Sequence, residues 1–186
     1  MFNHLGLALI TSVIFSKLFH IELTPILILL NAVFNYFPDI DISVELMQRG
    51  RIGGREHGFH RGVTHTPLIY IPISFLVSLV FGFQLAVIFI TGVYLHILFD
   101  SFGGGWGIMW FWPFSKNRYK LFTDKITRGF SVSSIAVWSS KEFKELALRH
   151  GDDNWFKNIY LKFHTLFLIE ILIVAVGLLM LLIYLV

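Results

Sequence analysis

The sequence predicts an all-α, polytopic helical membrane protein with about five membrane-embedded helices and one amphipathic helix on the cytoplasmic face. Three observations predict it. The 186-residue chain is 55% hydrophobic and only 15% charged, where soluble domains carry about 45–50% and about 25%. Its mean hydropathy is +0.70. Its apolar residues also gather into runs of bilayer length rather than spreading evenly along the chain. This composition excludes a disordered chain and argues against a water-soluble enzyme. With no cysteine, neither a disulfide framework nor a thiolate metal site is available, so any metal must sit on histidine and carboxylate.

Taken in order, residues 2–19 form the first apolar run. No basic residue precedes it and no small-residue cleavage pattern follows, so it reads as a span and not as a signal peptide. Residues 23–37 come next; this run is short and carries Asn31 and Asn35, so tilt or partial entry is expected. The runs 67–83 and 84–99 stand back to back around a turn at 82–84. Gly103-Gly104-Gly105 ends the fourth helix, and Trp106, Trp110, Phe111 and Trp112 then mark a headgroup level. Ser139 with Glu142 three residues on has the form of a capping box, and Gly151 suits a C-cap. Phe143, Leu146 and Ala147 between them make an apolar stripe, which fits a helix lying on the membrane surface or packing against the bundle. Residues 165–186 close the chain. These 22 residues, interrupted by Glu170 alone, reach roughly 33 Å as a helix and exceed a hydrocarbon core of about 30 Å. The chain so divides into a membrane-embedded metal-site domain (1–114), a basic segment with the surface helix (115–163) and a C-terminal transmembrane helix (164–186).

Charge sets the expected orientation. Arg49, Arg51, Arg55 and Arg61 lie in the loop after the second run, ten Lys/Arg lie from Lys116 to Lys162, and Lys17 stands near the other side. Positive loops stay in the cytoplasm, which places the N-terminus, 38–65 and 101–164 inside. The mild excess of 15 Lys+Arg over 12 Asp+Glu then reports orientation and contact with membrane lipid, and no nucleic-acid partner is expected.

Carboxylates and imidazoles near lipid are costly unless paired, protonated or metal-bound, and here they are not scattered. Asp39 and Asp41 end the second run, His57, His60, Thr64 and His65 lead into the third, His96 and Asp100 end the fourth, and His4 begins the first. By the parity of the spans, all fall at the cytoplasmic ends of their helices. His96 and Asp100 are four apart, so both side chains approach one ion from a single helix face. Alone, such a pair is matched by an ordinary helix-surface hydrogen bond. His60 and His65 are five apart and converge only if the chain turns between them, which Gly62 permits; Pro67 fits the first turn of the next span. Asp39 and Asp41 flank Ile40, so an extended or loop backbone would point both one way; simple capping at a membrane boundary is the alternative. His4 at a terminus is by default a solvated histidine. Taken together, these residues describe one shared site for zinc or another divalent ion.

The matching elements are His4-Leu5-Gly6, Phe37-Pro38-Asp39-Ile40-Asp41, His60-Arg61-Gly62-Val63-Thr64-His65-Thr66, Tyr94-Leu95-His96-Ile97-Leu98-Phe99-Asp100, and a glycine-rich stretch leading to Trp112-Pro113-Phe114. In this order they resemble the family of membrane-bound metal-dependent hydrolases, the YdjM-like inner-membrane hydrolases, over residues 1–114. The resemblance implies an all-α membrane domain and a hydrolase of the inner membrane. More distantly, the HxxxD helix and the upstream aspartate resemble the zinc-dependent phospholipase C and P1 nuclease group. That group uses a second His-x-x-x-Glu/Asp pair, which is missing here: His150 precedes Asp153 by three and His164 precedes Glu170 by six. One or two ions are therefore expected rather than three.

The expected ligands are His60, His65, His96, Asp100, Asp39, Asp41 and His4, holding zinc first, or manganese or magnesium. A bound water would have its pKa lowered toward about 7, with Asp39 or Asp41 as general base. Arg61 would clamp a phosphate or else brace Asp39 or Asp41. The expected reaction is hydrolysis of a phosphoester in a lipid-like or phosphorylated substrate. Two other classes compete: a transporter or ion pathway, and a membrane-anchored scaffold or regulator with a closed structural metal site.

Overall fold

The computed structural model describes residues 1–55 and 60–186, so His57 lies outside the described residues. Helices dominate: α1 (Phe2–Phe19), α2 (Pro25–Tyr36), α3 (Ile40–Arg49), α4 (Tyr70–Phe81), α5 (Phe83–Phe102), α6 (Ser140–His150) and α7 (Thr165–Leu185). Short 3-10 turns stand at Phe37–Asp39, Val63–His65 and Pro67–Ile69. Between α5 and α6 the chain forms a hairpin of β1 (Arg118–Thr123) and β2 (Phe130–Trp138), so the fold is mostly helical rather than all-α. The physical reason is legible afterwards: Ser-Val-Ser-Ser-Ile-Ala-Val-Trp is rich in β-branched residues and ends in a period-two pattern, with Ala136 and Trp138 turned inward.

Among the described residues, four helices are long and apolar enough to cross a membrane: Phe2–Phe19, Pro25–Arg49, Phe83–Phe102 and Thr165–Leu185. The second is longer than the sequence suggests, because α2 passes through the 3-10 turn at Phe37–Asp39 directly into α3. The third expected span is shorter. Pro67–Phe81 reaches roughly 20–25 Å, less than the hydrocarbon thickness of about 30 Å, and Gly82 at φ 94 stops it.

The contacts divide the chain into two compact units. The first comprises Met1–Phe37, Ile69–His96 and Lys157–Val186. Here α1 and α7 approach at Gly6 and Gly177: a Cβ on Gly6 would stand 2.6 Å from the Ile173 carbonyl carbon, and one on Gly177 would stand 2.7 Å from Gly6 O. Small residues allow this backbone proximity where apolar area alone cannot drive helices together in lipid. Asn31 and Asn35, which made the second run look weak, are fully buried. Asn31 Nδ2 donates to Leu27 O and Asn35 Nδ2 to Asn31 O, each at 3.0 Å, and Thr11 Oγ1 lies 3.1 Å from Asn31 Oδ1. Asn31 therefore spends its polarity inside the helix bundle, whereas Asn35 uses its Nδ2 and leaves Oδ1 buried without a hydrogen bond. Glu170, the lone charge of α7, accepts from the Phe2 amide at 2.8 Å, the Met1 amino group at 3.0 Å and Tyr160 Oη at 3.3 Å. It thus satisfies donors that the start of α1 leaves without helical partners.

The second unit comprises Pro38–Leu68 and Ile97–Phe156. Its strands pair antiparallel from Arg118↔Trp138 to Thr123↔Phe130, with an irregularity at Phe122, whose φ is 53. Ala136, Trp138, Phe143 and Ala147 form its core with Trp106 and Leu146 against them. The stripe on α6 is therefore spent on the hairpin, not on a membrane surface or a helix bundle, because Trp106 and Trp138 supply an apolar partner from within the same unit. The capping box predicted at Ser139 and Glu142 is present. Gly151 stands at the C-cap in an extended conformation, and close approach is what requires glycine there: a Cβ would stand 2.5 Å from Gly54 O.

Candidate metal centre

Within the second unit, three backbone features deliver side chains to one place. Asp39 closes the 3-10 turn at ψ 4 and Asp41 follows in the first turn of α3. The expected extended backbone is thus replaced by a tight helical bend, yet both carboxylates still face the imidazoles. Arg61 takes a left-handed φ of 60, and Val63–His65 wind into a 3-10 turn. The turn that lets His60 and His65 converge is therefore made at Arg61 rather than at Gly62, whose φ is −83. The two rings meet edge to face with centroids 5.0 Å apart. Asp100 comes from the last turns of α5.

The resulting distances are short and mutual. His60 Nδ1 lies 3.0 Å from Asp41 Oδ1 and 3.9 Å from Asp39 Oδ1. His65 Nε2 lies 3.3 Å from Asp39 Oδ1 and 3.5 Å from Asp100 Oδ2, and its Nδ1 lies 3.4 Å from Asp41 Oδ2. Asp39, Asp41, His60 and His65 each offer a ligand atom, all within 4.8 Å of one another, so the group can hold a metal ion. The spacing fits one. Donors set about 2.1 Å from a tetrahedral centre stand roughly 3.4 Å apart, and the two separations at His65 Nε2 fall within 0.1 Å of that edge. The donor set of imidazole nitrogen and carboxylate oxygen suits zinc or manganese. Thr64 Oγ1 donates to Asp41 Oδ2 and so orients Asp41.

Arg61 braces Asp100. Its Nε and Nη2 grip Asp100 in a two-pronged pair, each contact at 2.8 Å, and Nη1 donates to Gly104 O. Lys120 Nζ donates to Gly105 O at 2.7 Å and Arg118 Nη1 to Gly107 O at 3.1 Å. Three cations thus lace the glycine-rich loop that follows α5. Burial, and then the charge of Arg61, push the Lys120 ammonium down to about 8 and Arg118 down to about 10. Of the carboxylates, Asp100 meets this positive charge, through Arg61.

His4 and His96 belong to the first unit. Both are buried and their rings stack at 3.8 Å and 15°. His96 Nδ1 donates to Asn35 O at 2.6 Å, which leaves the lone pair on Nε2, the tautomer a metal ligand needs. His4 is therefore no solvated terminal residue. His96 and Asp100 lie one turn apart on α5, as their spacing requires.

One residue escaped sequence reasoning. Glu45 of α3 is fully buried; it accepts from Arg49 Nη1 at 2.6 Å, from the Gly53 amide at 3.0 Å and from the His60 amide. It ties the Gly53 and His60 amides to α3. Its signal in the sequence, a Glu four residues before an Arg, is that of an ordinary surface pair.

No curated protein and no solved structure matches the chain, and the more distant likeness to the phospholipase C and P1 nuclease group is without support. One family does match, described as YdjM inner membrane protein, over residues 1–185. The match runs well past Phe114, where the recognisable motifs end. With motifs, apolar helices and the match over nearly its whole length in agreement, the chain belongs to the YdjM inner membrane protein family.

Proposed function

We propose that this protein is a multi-pass, metal-dependent hydrolase of the inner membrane that cleaves a phosphoester in a lipid-like or phosphorylated substrate at the cytoplasmic face. The observation that carries this reading is the convergence of Asp39, Asp41, His60 and His65 within 4.8 Å, with Asp100 beside His65 Nε2. These residues would hold one or two divalent ions, zinc first and manganese or magnesium otherwise. When bound, such an ion supplies Lewis acidity, lowering the pKa of water and polarising a phosphoryl oxygen.

The chain's own residues do the rest. A carboxylate oxygen of Asp39 or Asp41 accepts a proton from the attacking water, and Thr64 keeps Asp41 turned toward His60. Arg61 holds Asp100 in place through its planar fork and adds positive charge where a phosphoryl group gains negative charge. Lys120 and Arg118 beside it favour an anionic substrate over a neutral one. The arginine-rich 38–65 loop and the basic 116–162 segment support the cytoplasmic placement.

The test is elemental analysis of purified protein followed by a phosphoester screen with and without chelator. The wild type is expected to carry metal and to lose activity on chelation. His65→Ala is expected to insert into the membrane with its metal gone. Full metal content in that variant overturns the assignment, and ion flux in proteoliposomes without hydrolysis replaces the enzyme by a pathway.

A further inference from the structure

The far end of the β-hairpin exposes what a water-facing turn avoids. Ile126 is 90% exposed, Phe130 79% and Val132 72%, while the core of this unit lies at the opposite end of β2 around Ala136 and Trp138. Phe122 carries the apolar surface inward, its ring 6.4 Å from Phe130 and 5.9 Å from Phe102. Two cations stand in the turn, both exposed: Lys125, whose ammonium pairs with Glu142 of α6 at 2.8 Å, and Arg128. The turn's single acid is consumed internally. Asp124 Oδ1 accepts from the Ile126 amide at 3.0 Å, the Thr127 amide at 2.7 Å and Thr127 Oγ1 at 2.9 Å. The tip therefore presents apolar side chains beside the Arg128 guanidinium, the combination that suits the headgroup layer of an anionic membrane. A protein-docking patch of this size would gain nothing from that cation unless its partner were acidic, whereas a chain of an inner-membrane family already has such lipid within reach.

We infer that the hairpin turn around Ile126 is a membrane-dipping anchor, inserting Ile126 and Phe130 among anionic lipid headgroups while Arg128 contacts their phosphates. The inference stands apart from the hydrolase reading and survives its failure.

The absence of cysteine makes a clean test possible. An environment-sensitive fluorophore is attached to Ile126→Cys in the full-length chain, with Lys144→Cys on the exposed side of α6 as a control. Both are placed in nanodiscs of phosphatidylcholine alone or with phosphatidylglycerol. In anionic discs, emission from position 126 is expected to shift to the blue and to be quenched by spin label carried at the lipid headgroup, while position 144 stays aqueous. Adding Arg128→Glu should weaken the tip's association at least about fivefold, the effect of one surface cation. The inference is overturned if position 126 stays aqueous, if it shifts without lipid quenching (a protein cover), or if neutral discs give an equal response.

Discussion

Glu45 and Arg61 each hold a functional side chain in place without belonging to the cluster of metal-ligand candidates. Arg61 holds Asp100 with a hydrogen bond from Nη2 and a second ion-pair contact from Nε, a two-point grip that a lysine cannot reproduce. Glu45 acts on backbone instead, giving the Gly53 and His60 amides their acceptor. Replacing its carboxylate by an amide converts one acceptor into a donor and leaves an amide unsatisfied, at about 1–3 kcal/mol. Glu45→Gln is accordingly expected to lower the thermal midpoint and, by loosening His60, to weaken metal affinity about 10–100-fold, the usual effect of removing an outer support. Titration against a fluorescent chelator measures it, and an unchanged affinity would show that His60 is held by other means.

α6 shows how one element carries two assignments. Its amphipathic spacing is real, but Phe143 and Ala147 pack on Trp138 and Ala136, and Arg118 lies over the Phe143 ring at 4.2 Å. Its start depends on Glu142. The Lys125 ammonium, then the Ser139 amide and hydroxyl, hold that carboxyl down at about 2. A carboxylate lowered on folding stabilises the folded state above its ordinary value of 4.5, and that contribution fades as pH falls through about 2. Thermal midpoints of wild type and Glu142→Gln should therefore differ near neutrality and converge on acidification toward pH 2. A gap that stays constant with pH would assign the cap's strength to its neutral hydrogen bonds. The exposure of the pair on both sides keeps the effect modest.

For the whole molecule, the decisive property is which loops face the cytoplasm. Charge predicts Lys144 inside and the turn between α4 and α5 outside. The shortness of Pro67–Phe81 makes that crossing the one to measure, since its reach of roughly 20–25 Å requires bilayer thinning or a shallow re-entrant path. Single cysteines at Lys144 and Gln84 give the answer with a membrane-impermeant maleimide on intact cells. Gln84→Cys should label and Lys144→Cys should label only after lysis. Protection of Gln84→Cys would mean that α4 and α5 enter and leave on one side.

What the sequence determined by itself was the solvent and the kinds of donor at the helix ends. Long apolar runs permit few structures other than membrane helices, because backbone polar groups in lipid must be satisfied within the segment. Aspartate and histidine at their ends, without cysteine, restrict any metal there to nitrogen and oxygen donors. Spacing along a single helix, as for His96 and Asp100, was legible because helical periodicity is local; so was the Ser139 cap. Tertiary structure decided the rest. The left-handed Arg61, the burial of Glu45, the grip of Arg61 on Asp100 and the use of the α6 stripe by a hairpin all depend on which segments meet. Such pairings join residues far apart in the chain, and no local pattern of polarity encodes which of several equivalent carboxylates or apolar faces an arginine or a helix will find.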